Sequence, residues 1–178
     1  VVYPVARGTG PLLSASGAVL LLGEHLTAFG GLGVALVVGG VFLIAGGPGL
    51  WAQAHDTEHR ERVRTGIGYG ALTGALIAGY TLIDGYAVTV LAISPILVDW
   101  LGNVLRVPFL LPGALRDPAA LREAWRTQWK SALVVAVFGP VAYVLVLYAM
   151  RLAPVSHVAP ARELSMLFAA LIGGRLLG

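Results

Sequence analysis

The 178 residues are 57% apolar and only 12% charged, whereas a soluble globular domain is about half apolar and about a quarter charged. A mean hydropathy of +0.83 therefore excludes a compact soluble domain, whose single core could not hide so many apolar side chains. The lack of cysteine excludes disulfides and thiolate metal sites, and the net charge of +3 comes mainly from residues between apolar blocks, where membrane proteins keep basic side chains.

Six apolar blocks follow one another along the chain. They cover residues 6–23, 28–47, 66–83, 88–111, 131–150 and 154–178. A bilayer core of about 30 Å is crossed by about 20 helical residues, and the second and fifth blocks are each twenty residues without a charge. The blocks lack the alternation of barrel strands, and helices satisfy their own backbone hydrogen bonds in lipid. The sequence therefore predicts an all-α transmembrane bundle with six helices.

Small residues recur at every fourth position in two of these blocks. One set is Gly66, Gly70, Gly74 and Ala78, and the other is Gly31, Ala35 and Gly39. The spacing places small residues on one helix face and predicts close packing of helices within the chain. An alternative is a seam between two copies of the chain, centred on Gly70 and Gly74. Pro140 removes a backbone donor inside the fifth block and predicts a kink there.

The connections between the blocks differ in length. Two are long and polar, residues 48–65 and 112–130, and three are predicted to be tight, near residues 24–27, 84–87 and 151–153. The second long connection predicts a short amphipathic helix at the membrane surface, with Trp125 and Trp129 at the headgroup level. The first contains "HDTEH" at residues 55–59, which matches the H-x-x-E-H pattern of some zinc enzymes. No apolar helix surrounds it, so we predict neither a metal site nor a cofactor.

The first and last blocks resemble each other when one is shifted by 155 positions. Ala6-Arg7 then falls on Ala161-Arg162, and the Leu-Leu-Gly that ends the first block falls on the Leu-Leu-Gly at residues 176–178. The sixth block lies five steps after the first, and each step to the next block reverses the direction of the chain across the membrane, so the two copies point in opposite directions. The sequence therefore predicts an inverted repeat of five-helix units, an architecture of secondary transporters that bind substrate between the units.

Two longer stretches carry a family resemblance. "PVARGTGPLLSASGAVLLLGEHLTAFGGLGVALVVGGVFLIA" and "YVLVLYAMRLAPVSHVAPARELSMLFAALIGGRLLG" resemble matching parts of the two EamA-type repeats of the drug/metabolite transporter superfamily, and "YTLIDGYAV" is similar to the end of the second repeat's first helix. The resemblance implies ten helices, of which the six blocks are helices four to nine. Residues 1–50 are then the last two helices of the first repeat, 51–65 a polar linker, and 66–178 the second repeat without its last helix. A Glu is expected to follow Gly178.

The membrane orientation has two predictions. Nine basic residues lie on the side of the two long connections, and the positive-inside rule makes that side cytoplasmic. The family resemblance implies the reverse, because ten-helix members usually keep both termini in the cytoplasm.

Charged residues at the block ends are the first candidates for a substrate site. Arg7, with its repeat mate Arg162, could bind a carboxylate or phosphate of the substrate, with Glu163 beside them. The alternative is an arginine at a helix end that reaches the membrane surface or pairs with Glu163. Asp84 could exchange a proton as a cavity alternates, or it could form an Asp-Gly turn.

Further candidates are aromatic or polar. Tyr80 and Tyr143 could shape a cavity for an organic molecule, or lie in an interfacial belt. Asp99, Asn103 and Arg106 share one helix face, so Asn103 could bridge the two charges, either along a transport pathway or at the membrane surface. His157 could sense protons or act as a donor between helices.

Together these features predict a secondary transporter of the EamA type rather than an enzyme. It would move a small organic metabolite or drug-like solute by alternating access, with proton coupling as an option, in the plasma (inner) membrane. The expected partners are the lipid bilayer and the solute, with a homodimer as a further option and no nucleic acid. No phosphate-binding G-x-x-x-x-G-K-[ST] loop occurs, which disfavours transport driven by ATP at this chain. The alternative function is a membrane-embedded enzyme or assembly factor.

Overall fold

A computed structural model describes residues 2–44 and 57–177, and within them the chain forms seven α-helices and no strand. The helices are α1 (Val2–Leu21), α2 (Ala28–Ile44), α3 (Thr57–Thr89), α4 (Pro95–Leu115), α5 (Pro118–Leu152), α6 (Val155–Ala161) and α7 (Leu164–Leu177). The predicted all-α class is confirmed. The division of the chain into repeats at residues 50 and 66 stays a prediction.

Apolar side chains cover much of the outer surface of the helices. Phe29 is 88% exposed and Phe109 is 85% exposed, and such surface is stable only against lipid or another apolar partner. Among the described residues, three segments are long and apolar enough to cross a membrane, namely Arg64–Thr89, Pro95–Leu115 and Pro118–Leu152. They correspond to the third, fourth and fifth predicted blocks. The chain is a membrane protein.

The described helices fall into two compact units. The first comprises the described residues up to Tyr86 together with those from Ala153 onward, and the second comprises Ala87–Leu152. In the first unit α1, α2 and α6 pack on one another, and α1 also packs along α3. In the second unit α4 packs against α5. The site described below lies in the first unit.

Small residues allow α1 and α3 to approach closely. Gly66, Gly70, Gly74 and Ala78 are all buried, as the four-residue spacing predicts. A Cβ added to Gly74 would lie 3.0 Å from the Gly10 nitrogen and 2.9 Å from the Thr9 Cβ. This face therefore serves packing within the chain at Gly74, and a seam between two copies stays a prediction.

The second set of small residues does not form the packing face of α2. Ala35 is exposed, and a Cβ added to Gly39 would meet nothing among the described atoms within 4 Å. The packed side is rotated by one residue, because Val34 is buried and Gly30 lies against the His157 ring. The His157 ring occupies the space that a side chain at residue 30 would fill. This contact, rather than the spacing of small residues, determines which face of α2 packs inside the chain.

The connection predicted at residues 84–87 is wrong, since α3 runs through Asp84 and Gly85 to Thr89. Thr81, Gly85 and Val88 are all buried at helical spacing, so packing on this face keeps the helix intact and overrides the Asp-Gly turn signal. The turn lies at residues 90–94, where Ala92 has a φ of 53°. The fourth helix therefore begins at Pro95, beyond the predicted start at residue 88.

The second long connection is helical, but it is not a separate interfacial helix. The Asp117 carboxylate accepts a hydrogen bond from the Ala120 backbone at 2.9 Å, and Pro118 occupies the first helical position. From there α5 continues for 35 residues, about 52 Å at 1.5 Å per residue. Its first turns therefore extend beyond a bilayer core of about 30 Å. Trp125 and Trp129 lie on this extension and are exposed.

Candidate functional site

A break in the last apolar block creates the centre of the site. The sequence predicted one helix over residues 154–178, but α6 ends at Ala161 and α7 begins at Leu164. Pro160 lies inside α6, one residue before its end. Glu163 donates its N–H to the Pro160 carbonyl at 3.0 Å, which is a tighter turn than that of an α-helix. The prediction of one helix is wrong here, and the break places Arg162 and Glu163 between two half-helices.

Glu163 is a buried carboxylate held by two arginines. Its side chain is 2% exposed, and it accepts a hydrogen bond from Arg7 Nη1 at 3.1 Å through Oε2. Arg162 Nε lies 3.6 Å from the other oxygen, Oε1. The Arg7 side chain is 32% exposed and that of Arg162 is 15% exposed. A carboxylate this deeply buried persists only with such charged partners.

The three charged side chains line a cavity of about 370 Å³. The lining residues are Ala6, Arg7, Pro11, Thr73, Ile77, Tyr80, Arg162 and Glu163. They come from α1, from α3 and from the break between α6 and α7. A few polar groups among apolar walls, in a volume of this size, are typical of a small-molecule site.

A second contact fixes α6 against the end of α1. Glu24 lies just beyond α1, and its Oε1 accepts the Val155 N–H at 2.7 Å while Oε2 accepts the Ser156 N–H at 2.9 Å. The carboxylate therefore caps the first turn of α6. The end of the α1 segment thus contacts the start of α6, whereas Arg7 near the start of α1 contacts Glu163 after α6. This is the order of contacts that antiparallel copies require.

Four of the six predicted substrate-binding residues line the same cavity: Arg7, Tyr80, Arg162 and Glu163. Asp84 lies on α3 one turn beyond Tyr80, and Tyr143 belongs to α5 in the second unit. Neither is among the lining residues of this cavity in the described part of the chain. A role in substrate binding stays a prediction for all six.

Sequence reasoning missed Thr73 and Ile77. Both lie on the cavity side of α3, at seven and three residues before Tyr80. Residues at such spacing share a helix face, so the choice of Tyr80 could have led to them. Glu24 entered the sequence analysis only through the Glu expected at the matching position after Gly178. Its contact spans 131 residues, and no local pattern reports that.

The predicted bridge through Asn103 is confirmed. Asn103 Nδ2 donates to Asp99 Oδ2 at 3.0 Å, and Arg106 Nη1 donates to Asn103 Oδ1 at 3.2 Å. This series lies on α4 in the second unit, and Arg106 is exposed. The bridge satisfies polar groups along one helix face, and its place on a transport pathway stays a prediction.

His157 has a structural environment. Its ring packs over Gly30 of α2, and its Nδ1 lies 3.4 Å from the Ser156 hydroxyl. The ring thus packs between helices, while its polar contact is to the neighbouring residue, and a role as a donor between helices stays a prediction. His55 of the "HDTEH" stretch lies outside the described residues. Within the described ones, no group of three or more His, Cys, Asp or Glu side chains could hold a metal ion.

A family model described as the EamA-like transporter family matches residues 64–178. The match covers well over half of the sequence and runs from within α3 through α7. No curated protein and no solved structure matches the chain at a significant level.

Proposed function

Since the chain belongs to the EamA-like transporter family, we propose that it moves a small organic solute across a membrane by alternating access around the cavity at Glu163. Members of this family are membrane transporters of the drug/metabolite type and not enzymes. The plasma (inner) membrane is the proposed location, and Arg7, Tyr80, Arg162 and Glu163 are the proposed substrate contacts.

The observation that carries the proposal is the cluster of Arg7 and Arg162 around the buried Glu163 on the cavity wall. A charged side chain at the centre of a membrane helix costs about 2.5–3.5 kcal/mol on insertion scales. We propose that these three charges lie at membrane depth, where such groups usually serve a pathway or a binding site. A purely structural contact could be made from apolar side chains at lower cost.

The cluster also joins the two elements whose relative movement would alternate access. Arg7 belongs to the block assigned to the first repeat and Glu163 to the block assigned to the second. The 3.1 Å contact between them stabilises one arrangement of these segments. In secondary transporters, rigid movement of one repeat against the other exposes a fixed site to each side in turn. A solute that loosens this contact would shift the balance between two arrangements.

Transport assays on reconstituted vesicles test the proposal. We expect the full-length native protein to support counterflow of some members of a panel of small organic acids, amides and amines. Arg162→Gln should abolish counterflow, because it removes a charged group from the cavity wall, whereas Arg126→Gln on the exposed part of α5 should leave it unchanged. Counterflow that is equal in wild type and Arg162→Gln for every transported solute would overturn the assignment of this cavity. No counterflow of any member would overturn the proposed function.

A further inference from the structure

The geometry points to a small organic carboxylate as the solute class, with Glu163 acting as an internal competitor that the solute carboxylate displaces from Arg7. This inference rests on the proposed function and deepens it. It concerns which carboxylate, that of the solute or that of Glu163, is paired with Arg7 inside the cavity.

The two members of the central ion pair are unequally accessible. The Arg7 side chain is 32% exposed, while the Glu163 side chain is 2% exposed. A solute that enters the cavity therefore meets the more exposed guanidinium before the carboxylate. A cationic amine would face Arg7 and Arg162 ahead of their largely buried counter-ion, whereas a carboxylate would find a donor suited to it in charge and geometry.

The other walls of the cavity suit the apolar part of such a solute. Pro11 and Ile77 are apolar, and Tyr80 offers an aromatic ring that is 38% exposed. A charged end at Arg7 and an apolar body against these walls would satisfy both kinds of surface. The preferred ligand is thus an acid with a short apolar or aromatic body.

Glu163 does not lose all compensation when the solute takes Arg7. Arg162 Nε remains 3.6 Å from Glu163 Oε1, so the buried carboxylate keeps one cationic partner. Breaking both contacts would leave an uncompensated buried charge, which is strongly unfavourable. Because Arg162 stays close to Glu163, the solute carboxylate can replace Glu163 at Arg7 and leave again without creating an unpaired buried charge. Binding loosens the link between α1 and the break after α6, and release restores it.

Binding of three matched probes to the purified protein tests the class of solute. We would titrate 3-phenylpropanoate, 3-phenylpropanamide and 3-phenylpropylamine, which share one skeleton, by calorimetry in detergent. The wild-type protein should bind the acid about tenfold or more tightly than the amide, since a hydrogen bond to a charged group is lost, and the amine should bind weakest. Equal binding of the acid and the amide would overturn the inference.

Two substitutions with opposite expected effects test the competition. Arg7→Gln should weaken binding of the acid by about tenfold or more, and Glu163→Gln should tighten it by about tenfold, because the competing carboxylate is gone. A merely structural role of the pair would weaken binding in both variants, and that result would overturn the competition. The exposed pair Glu123 and Arg126, 3.9 Å apart on α5, supplies the matched controls Glu123→Gln and Arg126→Gln, which should change nothing.

A further variant of Glu163 and the transport assay separate the remaining explanations. If Glu163→Gln does not fold, Glu163→Asp retains the charge but withdraws it from Arg7, and it should tighten acid binding to a smaller extent. Unchanged or weaker binding would contradict the competition. Counterflow without a preference for acids would overturn this inference and leave the transporter standing. Tight acid binding without counterflow of any solute would leave the carboxylate site and overturn the proposed function.

Discussion

The carboxylate of Glu24 satisfies two backbone donors that would otherwise be unpaired. Both the Val155 and Ser156 side chains are fully buried, and their N–H groups open α6, where no helical partner exists. A single side chain thus supplies both the hydrogen bonds and the negative charge that favour a helix start.

Glu24→Gln should lower the stability of the protein by about 1–2 kcal/mol, since only one oxygen remains to accept and the charge is lost. Thermal unfolding of the purified protein in detergent measures this as a lower midpoint. Glu123→Gln removes an exposed carboxylate and should leave the midpoint unchanged. Equal midpoints for wild type and Glu24→Gln would contradict the capping role.

Thr81 carries a buried hydroxyl that has no hydrogen-bond partner among the described residues. Thr73 on the same helix shows the usual arrangement, because its hydroxyl donates to the Tyr69 carbonyl at 2.7 Å. Thr81→Val keeps the shape and removes the unpaired group, so it should raise stability by about 1 kcal/mol. Thr73→Val is the matched control and should not stabilise. A lower melting midpoint for Thr81→Val would show that the hydroxyl has a partner after all.

At the residue scale, the sequence indicated which charged residues belong to the site, but it did not indicate which atoms they contact. Arg7 and Arg162 stand out because a charge at the end of an apolar block is unusual, and both reach the cavity. Thr81 gives no such signal, and Glu24 follows an apolar block in the same way but its partners lie 131 and 132 residues away, so its role was not readable from the sequence. The Asn103 bridge was predictable because all three side chains lie within two turns of one helix.

At the scale of helices, close approach of α1 and α3 depends on the lack of a side chain at Gly74. Gly74→Ala would place a methyl group against Thr9 and the Gly10 backbone and should cost about 1–3 kcal/mol through overpacking. Gly68 is the matched control on the same helix, because nothing described lies within 4 Å of its added Cβ. Gly68→Ala should be neutral or stabilise by about 0.5–1 kcal/mol. Melting midpoints that fall equally in both variants would contradict the close packing at Gly74.

Helix existence was predictable from apolar block length, but helix ends were not. The apolar blocks indicate which stretches lie in lipid, and a helix in lipid satisfies its own backbone hydrogen bonds. Ends depend on local packing: Asp84-Gly85 stays helical because its face is packed, whereas a block that reads as continuous is interrupted after Ala161. Proline alone does not predict such an interruption, since Pro140 lies inside α5, which continues past it.

At the scale of the whole molecule, the family and the antiparallel order of contacts point to the same account. The shift of 155 residues predicts that the segments around Arg7 and Arg162 run in opposite directions. The contacts of Glu24 and Arg7 with the segment from Val155 to Glu163 have the order that this requires. The substrate could not be read from the sequence, because the cavity is assembled from three separate segments of the chain.

Accessibility of a single cysteine in the cavity tests alternating access most directly. The sequence contains no cysteine, so Thr73→Cys introduces one unique thiol on the cavity wall. A membrane-impermeant maleimide should label it from either side of sealed vesicles, and bound 3-phenylpropanoate should slow the labelling from both sides. Thr127→Cys, on the exposed first part of α5 and outside the cavity lining, should be labelled without such protection. Labelling of Thr73→Cys from one side only would contradict alternating access at this cavity.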